Sequence, residues 1–278
     1  MLSEQRRLEI SSLVRRRGAV GVAELVQLFK VTPATVRKDL TALHKAGMLV
    51  RTRGGALAPN YGHGRDLPVS VRQTMLSTEK LRIAEKARAY VKPGDTIYLD
   101  GSSTVGFLAR LLDEIEELTV VTNSLLVMQQ VALFPKARLL GVAGTLHRDS
   151  LSFLGGDVED ALRSYHVDKA FISTKGVSIG SGLTDAQPEW ARIHRIVLQS
   201  ADHIMLLADQ SKFGTVSLVT VAPLSKVNVV VTDAEPQDPY RSFLEEHGVE
   251  LAVAEAKKES GLSESQQTDA LNARASVR

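Results

Sequence analysis

Five stretches of this 278-residue chain put small or polar side chains where an apolar strand would run out. They are Asp100-Gly101-Ser102-Ser103-Thr104, Thr122-Asn123-Ser124, Gly144-Thr145, Ser173-Thr174-Lys175-Gly176 and Asp209-Gln210-Ser211-Lys212-Phe213. In open α/β sheets ligands sit at the carboxyl ends of strands, so chemistry is expected here. The first stretch is the most pointed. A glycine followed by three hydroxyl residues opening a helix offers backbone N–H groups, hydroxyls and a helix N-terminus to an anion such as phosphate. Lys212 adds a point charge to the same ligand. Turn and capping chemistry accounts for each stretch taken singly. Five together predict a pocket lined by Asp100, Ser102, Ser103, Thr104, Asn123, Lys175 and Lys212.

A second constellation has different chemistry. Thr32 reads as a helix N-cap and Pro33 as the first helical residue, where its missing N–H costs nothing. Val36, Leu40 and Leu43 follow at i, i+4 and i+7, one apolar stripe, and Gly47 stands where a left-handed cap would end the helix. The opposite face carries Ala34, Lys38, Thr41 and Lys45, flanked by Thr35 and Arg37. It is small near its start, basic and rich in donors, as a helix entering a major groove must be. Val22–Phe29 before it is a short helical run with Leu25, Leu28 and Phe29 on one side. After Gly47 come a strand, the Gly54-Gly55 turn and a return, with Arg51 and Arg53 pointing the same way. This is the pattern of a winged helix-turn-helix, with DNA contacts expected from Thr32, Ala34, Thr35, Arg37, Lys38, Thr41, Arg51 and Arg53.

The elements that must position these groups fall into two parts. Residues 1–57 hold a first helix capped by Ser3 and ended by Gly18, a short apolar strand at Ala19–Gly21, and the helix pair and wing. Residues 58–77 carry Pro59, Asn60, Gly62, Gly64 and Pro68 and read as a linker. Residues 78–255 alternate helices with near-continuous apolar strands, which predicts a mostly parallel sheet covered on both faces. One helix there is expected over Lys80–Val91, with Leu81, Ala84, Ala87 and Val91 inward. Between the Ser173 stretch and a helix at Pro188 lies a glycine-rich loop. Residues 256–278 have no apolar stripe and are expected to be disordered.

Composition excludes several classes. The chain has no cysteine, so disulfides, thiolate catalysis and cysteine zinc sites are out. No apolar run approaches the ~20 residues of a membrane span, and the polar N-terminus does not read as a signal peptide. The seven histidines show no metal-ligand spacing. Walker, dinucleotide, G-x-S-x-G and H-E-x-x-H signatures are missing, so neither a cofactor nor a resident metal is expected. The net charge of +2 hides an asymmetry: residues 1–57 hold 11 Lys/Arg against 4 Asp/Glu, and the remainder is acidic. A basic head on an acidic body implies that the head alone meets a polyanion. Arg15-Arg16-Arg17 fits either phosphate contact or favourable charge at a helix C-terminus.

Glu24-Leu25, Thr35-Val36-Arg37-Lys38-Asp39-Leu40, Gly47-Met48-Leu49 and Arg51-Thr52-Arg53-Gly54-Gly55-Ala56 resemble the winged helix-turn-helix of DeoR-type transcriptional regulators. The body resembles that family's sugar-sensing domain through Asp100–Thr104, Thr122-Asn123-Ser124, Gly182-Leu183-Thr184 and Leu207–Gly214. The resemblance covers about residues 2–255. It implies a fold similar to ribose-5-phosphate isomerase and the coenzyme A transferases. It further implies a cytoplasmic, oligomeric repressor of a carbohydrate operon that binds double-stranded operator DNA and is relieved by a phosphorylated sugar or related metabolite. An isomerase-like enzyme is the alternative function; the regulator reading takes the chain as no enzyme.

Four positions depart from the family. Arg53 replaces a histidine and Thr32 a serine, while Arg192 and His194 stand where a glutamate and a lysine are usual. Surface drift explains the last two as well as an altered pocket does. If His194 replaces a ligand-contacting lysine, effector affinity should fall as pH rises through the ordinary imidazole range, near ~6.5.

Overall fold

The computed structural model describes residues 2–52, 54–58 and 67–254, the Arg15 side chain aside. The expectations for Arg53, for residues 59–66 of the linker and for the 256–278 tail lie outside the described residues.

The head runs α1 (Ser3–Arg17), β1 (Ala19–Gly21), α2 (Val22–Phe29), α3 (Pro33–Lys45), β2 (Val50–Thr52) and β3 (Gly55–Leu57). Ser3 does not cap α1. Leu2 holds the cap position with no side-chain hydrogen bond, and Ser3 is already helical. Gly18 ends α1 at φ 78, a conformation glycine adopts without strain. Ile10, Val14, Val20, Leu25, Val36, Leu40, Leu43 and Leu49 form the core of the head. Leu28, expected inside, is 56% exposed, so the inward face of α2 is narrower than its periodicity indicated. β3 pairs antiparallel with both β1 and β2, closing the wing onto the strand that precedes the helix pair.

The span expected as linker contains α4 (Val69–Thr74) and the first residue of α5 (Ser77–Arg88). The body continues with β4 (Thr96–Leu99), α6 (Ser103–Ala109), β5 (Thr119–Thr122), α7 (Leu125–Val131) and β6 (Arg138–Gly141). Next come β7 (Thr145–His147), β8 (Ser152–Leu154), α8 (Gly156–Arg163) and β9 (Val167–Ile172). It closes with β10 (Gly176–Ser178), β11 (Gly182–Asp185), α9 (Pro188–Gln199), β12 (Ala201–Leu207), β13 (Val219–Ala222), β14 (Val229–Thr232), α10 (Tyr240–Glu246) and β15 (Glu250–Val253). Seven strands form one parallel sheet in the order β15-β14-β12-β9-β4-β5-β6. Apolar cores cover both of its faces, one built on α9 with Tyr98 and Ile172, the other on α5 and α6 with Ile97 and Phe171. The expected glycine-rich loop is the β10–β11 hairpin, extended by β13. Gly176 and Gly182 fit there because a Cβ would strike the Thr215 and Ala222 carbonyl oxygens at 2.2 and 2.1 Å.

In α5 the buried face is Lys80, Ile83, Ala84 and Ala87. Ala84, Ala87 and Val91 are buried as expected, but Leu81 is only half-buried and the stripe starts one residue earlier, at Lys80. That phase turns a lysine inward. It matters for the site.

Candidate functional site

The recognition surface of the head is built on α3. Thr32 Oγ1 accepts from Thr35 N–H at 3.2 Å, and Pro33 occupies the first turn. Gly47 takes φ 69 and donates its N–H to His44 O, while Met48 N–H reaches Leu43 O, which satisfies the last carbonyls of α3. Ala34, Arg37 and Lys38 are exposed; Thr35 and Thr41 are half-buried. Thr41 Oγ1 donates to Arg37 O at 2.8 Å and accepts from Arg51 Nη1 at 2.9 Å. The wing arginine is therefore tied to the recognition helix. On the inner side Asp39 is 1% exposed, with Arg6 Nε at 2.6 Å and Arg7 Nε at 2.8 Å, both from α1. The sequence reading assigned Asp39 no role.

The body holds a cavity of about 270 Å³ over the carboxyl ends of β12, β9 and β4, neighbours at the centre of the sheet. Asp100, Ser102, Ser103, Thr104, Lys175 and Lys212 line it. Asn123 does not. It is fully buried one strand further on, its Nδ2 donating to Phe153 O and its Oδ1 accepting from Tyr98 O–H, both at 2.8 Å. Asn123 is a structural residue because every hydrogen bond it makes stays inside the fold. Ser102 is half committed as well: its Oγ caps α6 by accepting from Val105 N–H at 3.1 Å.

Three charged lining residues were not anticipated: Lys80, Asp185 and Arg72. Lys80 is 5% exposed, and its Nζ donates to Arg72 O and to Met75 O. Burial pushes its pKa from 10.5 down to about 7; the nearby cations Lys212, Arg72 and Lys175 add to that, against the pull of Asp209. Asp100 accepts from Ser102 N–H at 2.8 Å and from Ser173 N–H at 2.7 Å, so it ties the ends of β4 and β9 together.

The two family departures on α9 part company. Arg192 is turned away from the cavity and pairs with Glu159 of α8 at 2.8 Å. His194 lines the cavity and is 2% exposed. Its Nδ1 lies 2.7 Å from Asp185 Oδ2. Its Nε2 faces Asp100 Oδ2 across 3.4 Å with no hydrogen-bond partner. Burial alone would drive its proton off. The carboxylates of Asp185 and Asp100 outweigh burial and hold the imidazolium up to about 10. The expected titration near 6.5 is therefore corrected: His194 stays protonated across the neutral range. Trp190 packs on the imidazole with ring centroids 5.9 Å apart and closes the same wall.

A basic, capped helix-turn-helix with a wing, joined to a parallel α/β body with a charged cavity, defines a ligand-responsive DNA-binding protein. Residues 6–61 match the DeoR-like helix-turn-helix domain and residues 76–234 the DeoR C terminal sensor domain. The chain belongs to the DeoR family of transcriptional regulators. It is similar to the HTH-type transcriptional repressor GlcR of Bacillus subtilis (strain 168), with 32% identity over 92% of this chain and 98% of that one. The glycerol-3-phosphate regulon repressor of Escherichia coli (strain K12) is 29% identical over 91% of this chain and 100% of its own. Among solved structures, ribose 5-phosphate isomerase A of Methanocaldococcus jannaschii aligns with 21% identity over 50% of this chain and 55% of that chain, at a TM-score of 0.37. Among the described residues no group of side chains could hold a metal ion, and no helix is long and apolar enough to cross a membrane.

Proposed function

We propose that this regulator is a repressor of a carbohydrate operon, released from its operator by a phosphorylated sugar bound in the body's cavity. One observation carries the reading. Four cationic side chains, Arg72, Lys80, Lys175 and Lys212, converge on a cavity whose carboxylates are already engaged: Asp100 and Asp185 with His194, Asp209 with the backbone and hydroxyl of Ser211. Among the described lining residues, basic side chains (these four and His194) outnumber the carboxylates Asp100, Asp185 and Asp209. A phosphate monoester suits a wall of that composition. The volume lies just under the ~300 Å³ where drug-sized pockets begin, which suits a small metabolite. Two relatives are named for repression, one of them of a glycerol-3-phosphate regulon, in keeping with this reading.

The domain roles follow: residues 1–57 read DNA, and residues 78–255 sense the effector and carry the oligomer contact. Two half-sites gain affinity only if two heads are joined, and basic heads repel one another. The protein works in the cytoplasm with its DNA, and has no catalytic role.

Thermal shift against hexose 6-phosphates, pentose 5-phosphates, glycerol 3-phosphate and the unphosphorylated sugars tests the effector. Stabilisation is expected from phosphorylated compounds alone, with no interconversion of pentose or hexose phosphates. Lys212→Ala should remove most of that stabilisation and leave DNA affinity without ligand unchanged. Equal stabilisation by unphosphorylated sugars, or a wild-type response from Lys212→Ala, refutes the site.

For the head, Arg37→Ala and Lys38→Ala should each cost about 1–3 kcal/mol in affinity for an operator selected from random duplexes. The two side chains are exposed on α3, so their truncation should leave the fold intact. Fluorescence anisotropy would measure the loss. Full affinity in both folded variants would exclude α3 as the reading helix.

A further inference from the structure

Lys80 sits between the cavity and the DNA-binding head. Its Nζ donates to two carbonyls at the end of α4, those of Arg72 and Met75. Between them in sequence lies Thr74, and Thr74 is pressed against the head. A Cβ on Gly21, in β1, would fall 2.3 Å from Thr74 Oγ1; one on Gly54, in the wing turn, would fall 2.6 Å from Thr74 O. One short piece of chain, Arg72 to Leu76, thus touches the cavity on one side and the wing on the other. The start of α4 is anchored separately, by Val69 N–H to Asp149 O at 2.6 Å.

The partners that hold Nζ are neutral carbonyl oxygens. Those bonds carry charge on the donor alone, whereas a bond from ammonium to an anionic oxygen carries charge on both sides and adds a direct Coulomb attraction. An anion that enters the cavity competes for Nζ on favourable terms, the more so because Arg72, Lys175 and Lys212 crowd the same lysine with like charge.

We propose that Lys80 is the residue through which the cavity controls the head: a bound anion draws Nζ off the Arg72 and Met75 carbonyls, and the freed end of α4 loses its fixed seat against β1 and the wing. This rests on the effector reading above and adds the route by which occupancy reaches DNA. Linkage requires that ligand bind the tethered and untethered forms unequally, and the competition for Nζ supplies that difference.

Amide hydrogen exchange on the full-length chain tests it. Saturating glucose 6-phosphate or inorganic phosphate should make the amides of residues 70–76 of the wild type exchange about ten-fold faster, as expected when a charged donor leaves two carbonyls. Lys80→Met keeps the length and loses the donors. It should show the fast exchange without ligand, no further rise with ligand, and DNA binding weaker than wild type by about ten-fold. Unchanged exchange at 70–76 in folded Lys80→Met overturns the proposal. Should that variant not fold, the wild type with phosphate decides alone: faster exchange supports the tether, and unchanged or slower exchange refutes it. The two readings fail differently. The effector reading fails if no phosphate compound raises the melting temperature. The tether fails if one does so while exchange at 70–76 stays as it was.

Discussion

Replacing His194 with leucine should cost about 3–5 kcal/mol of stability, the usual penalty for removing one partner of a buried ion pair. The size follows from what is left behind. Asp100 and Asp185 are 1% and 4% exposed, and His194 is the cation that stands between them. Without it two carboxylates face each other in the interior, and leucine fills the volume while offering no charge. The pH dependence gives the sign. The imidazole takes up its proton at about 10 in the fold and near the ordinary 6.5 when unfolded. Its contribution is complete below 6.5 and is lost as pH rises through about 10. Lys80 runs the other way. Its folded pKa of about 7 lies below the unfolded 10.5, so its burial penalty fades as pH rises across that span. The wild-type profile alone therefore blends two opposed slopes. The quantity to measure is the difference in unfolding free energy between wild type and His194→Leu from pH 6 to pH 10.5, a trial range bracketing the two His194 values. Lys80 is common to both and cancels. The difference should be largest near neutrality and shrink toward the alkaline end. A constant difference would mean that His194 is neutral in the fold, held by packing and its bond to Asp185 alone.

Much of this architecture was legible because local signals agreed with the tertiary result. Thr32, Pro33 and Gly47 announce both ends of α3, and the apolar runs of β4, β5, β9, β12 and β14 announce a sheet buried on both faces. The misses have a common physical origin. Lys80 was passed over because a lysine is expected to face water, and reading α5 from Leu81 placed it on the wrong side of the helix. Asn123 was drawn into the pocket because it follows a strand beside β4, as a ligand residue would. Only the positions of Tyr98 O–H and Phe153 O show its amide to be used up. The hairpins β7–β8 and β10–β11 were missed because their three- and four-residue strands are too short to carry a period. His194 was singled out as a departure from the family pattern. Its charge state depends on Asp185 nearby and also on Asp100, far away in sequence, and no spacing rule brings Asp100 to it.

Asp39→Ala should be as costly as the loss of His194, about 3–5 kcal/mol, but the damage should stay in the head. Asp39 lies on α3 among Val36, Leu40 and Leu43, so by helical phase it belongs to the buried stripe. Its carboxylate is 1% exposed and divided between two partners, Oδ2 to Arg6 Nε and Oδ1 to Arg7 Nε. Both arginines come from α1, so this one carboxylate orients the recognition helix against the first helix by two charge-assisted bonds. Alanine removes the acceptor, leaves a void beside Leu40, and strands Arg6, itself 8% exposed, without its counter-charge. The body has its own two cores and a separate sheet, so it should keep its fold. Two transitions are then expected in a thermal melt of Asp39→Ala, an early one for the head and one near the wild-type temperature for the body. DNA affinity should collapse while stabilisation by phosphorylated sugars persists. Asp39→Asn tests the electrostatic part, since it keeps the shape but offers one oxygen where the carboxylate offers two. It should fall between wild type and alanine. If Asp39→Asn binds operator like wild type, the charge is dispensable, and packing alone sets the pose of α3.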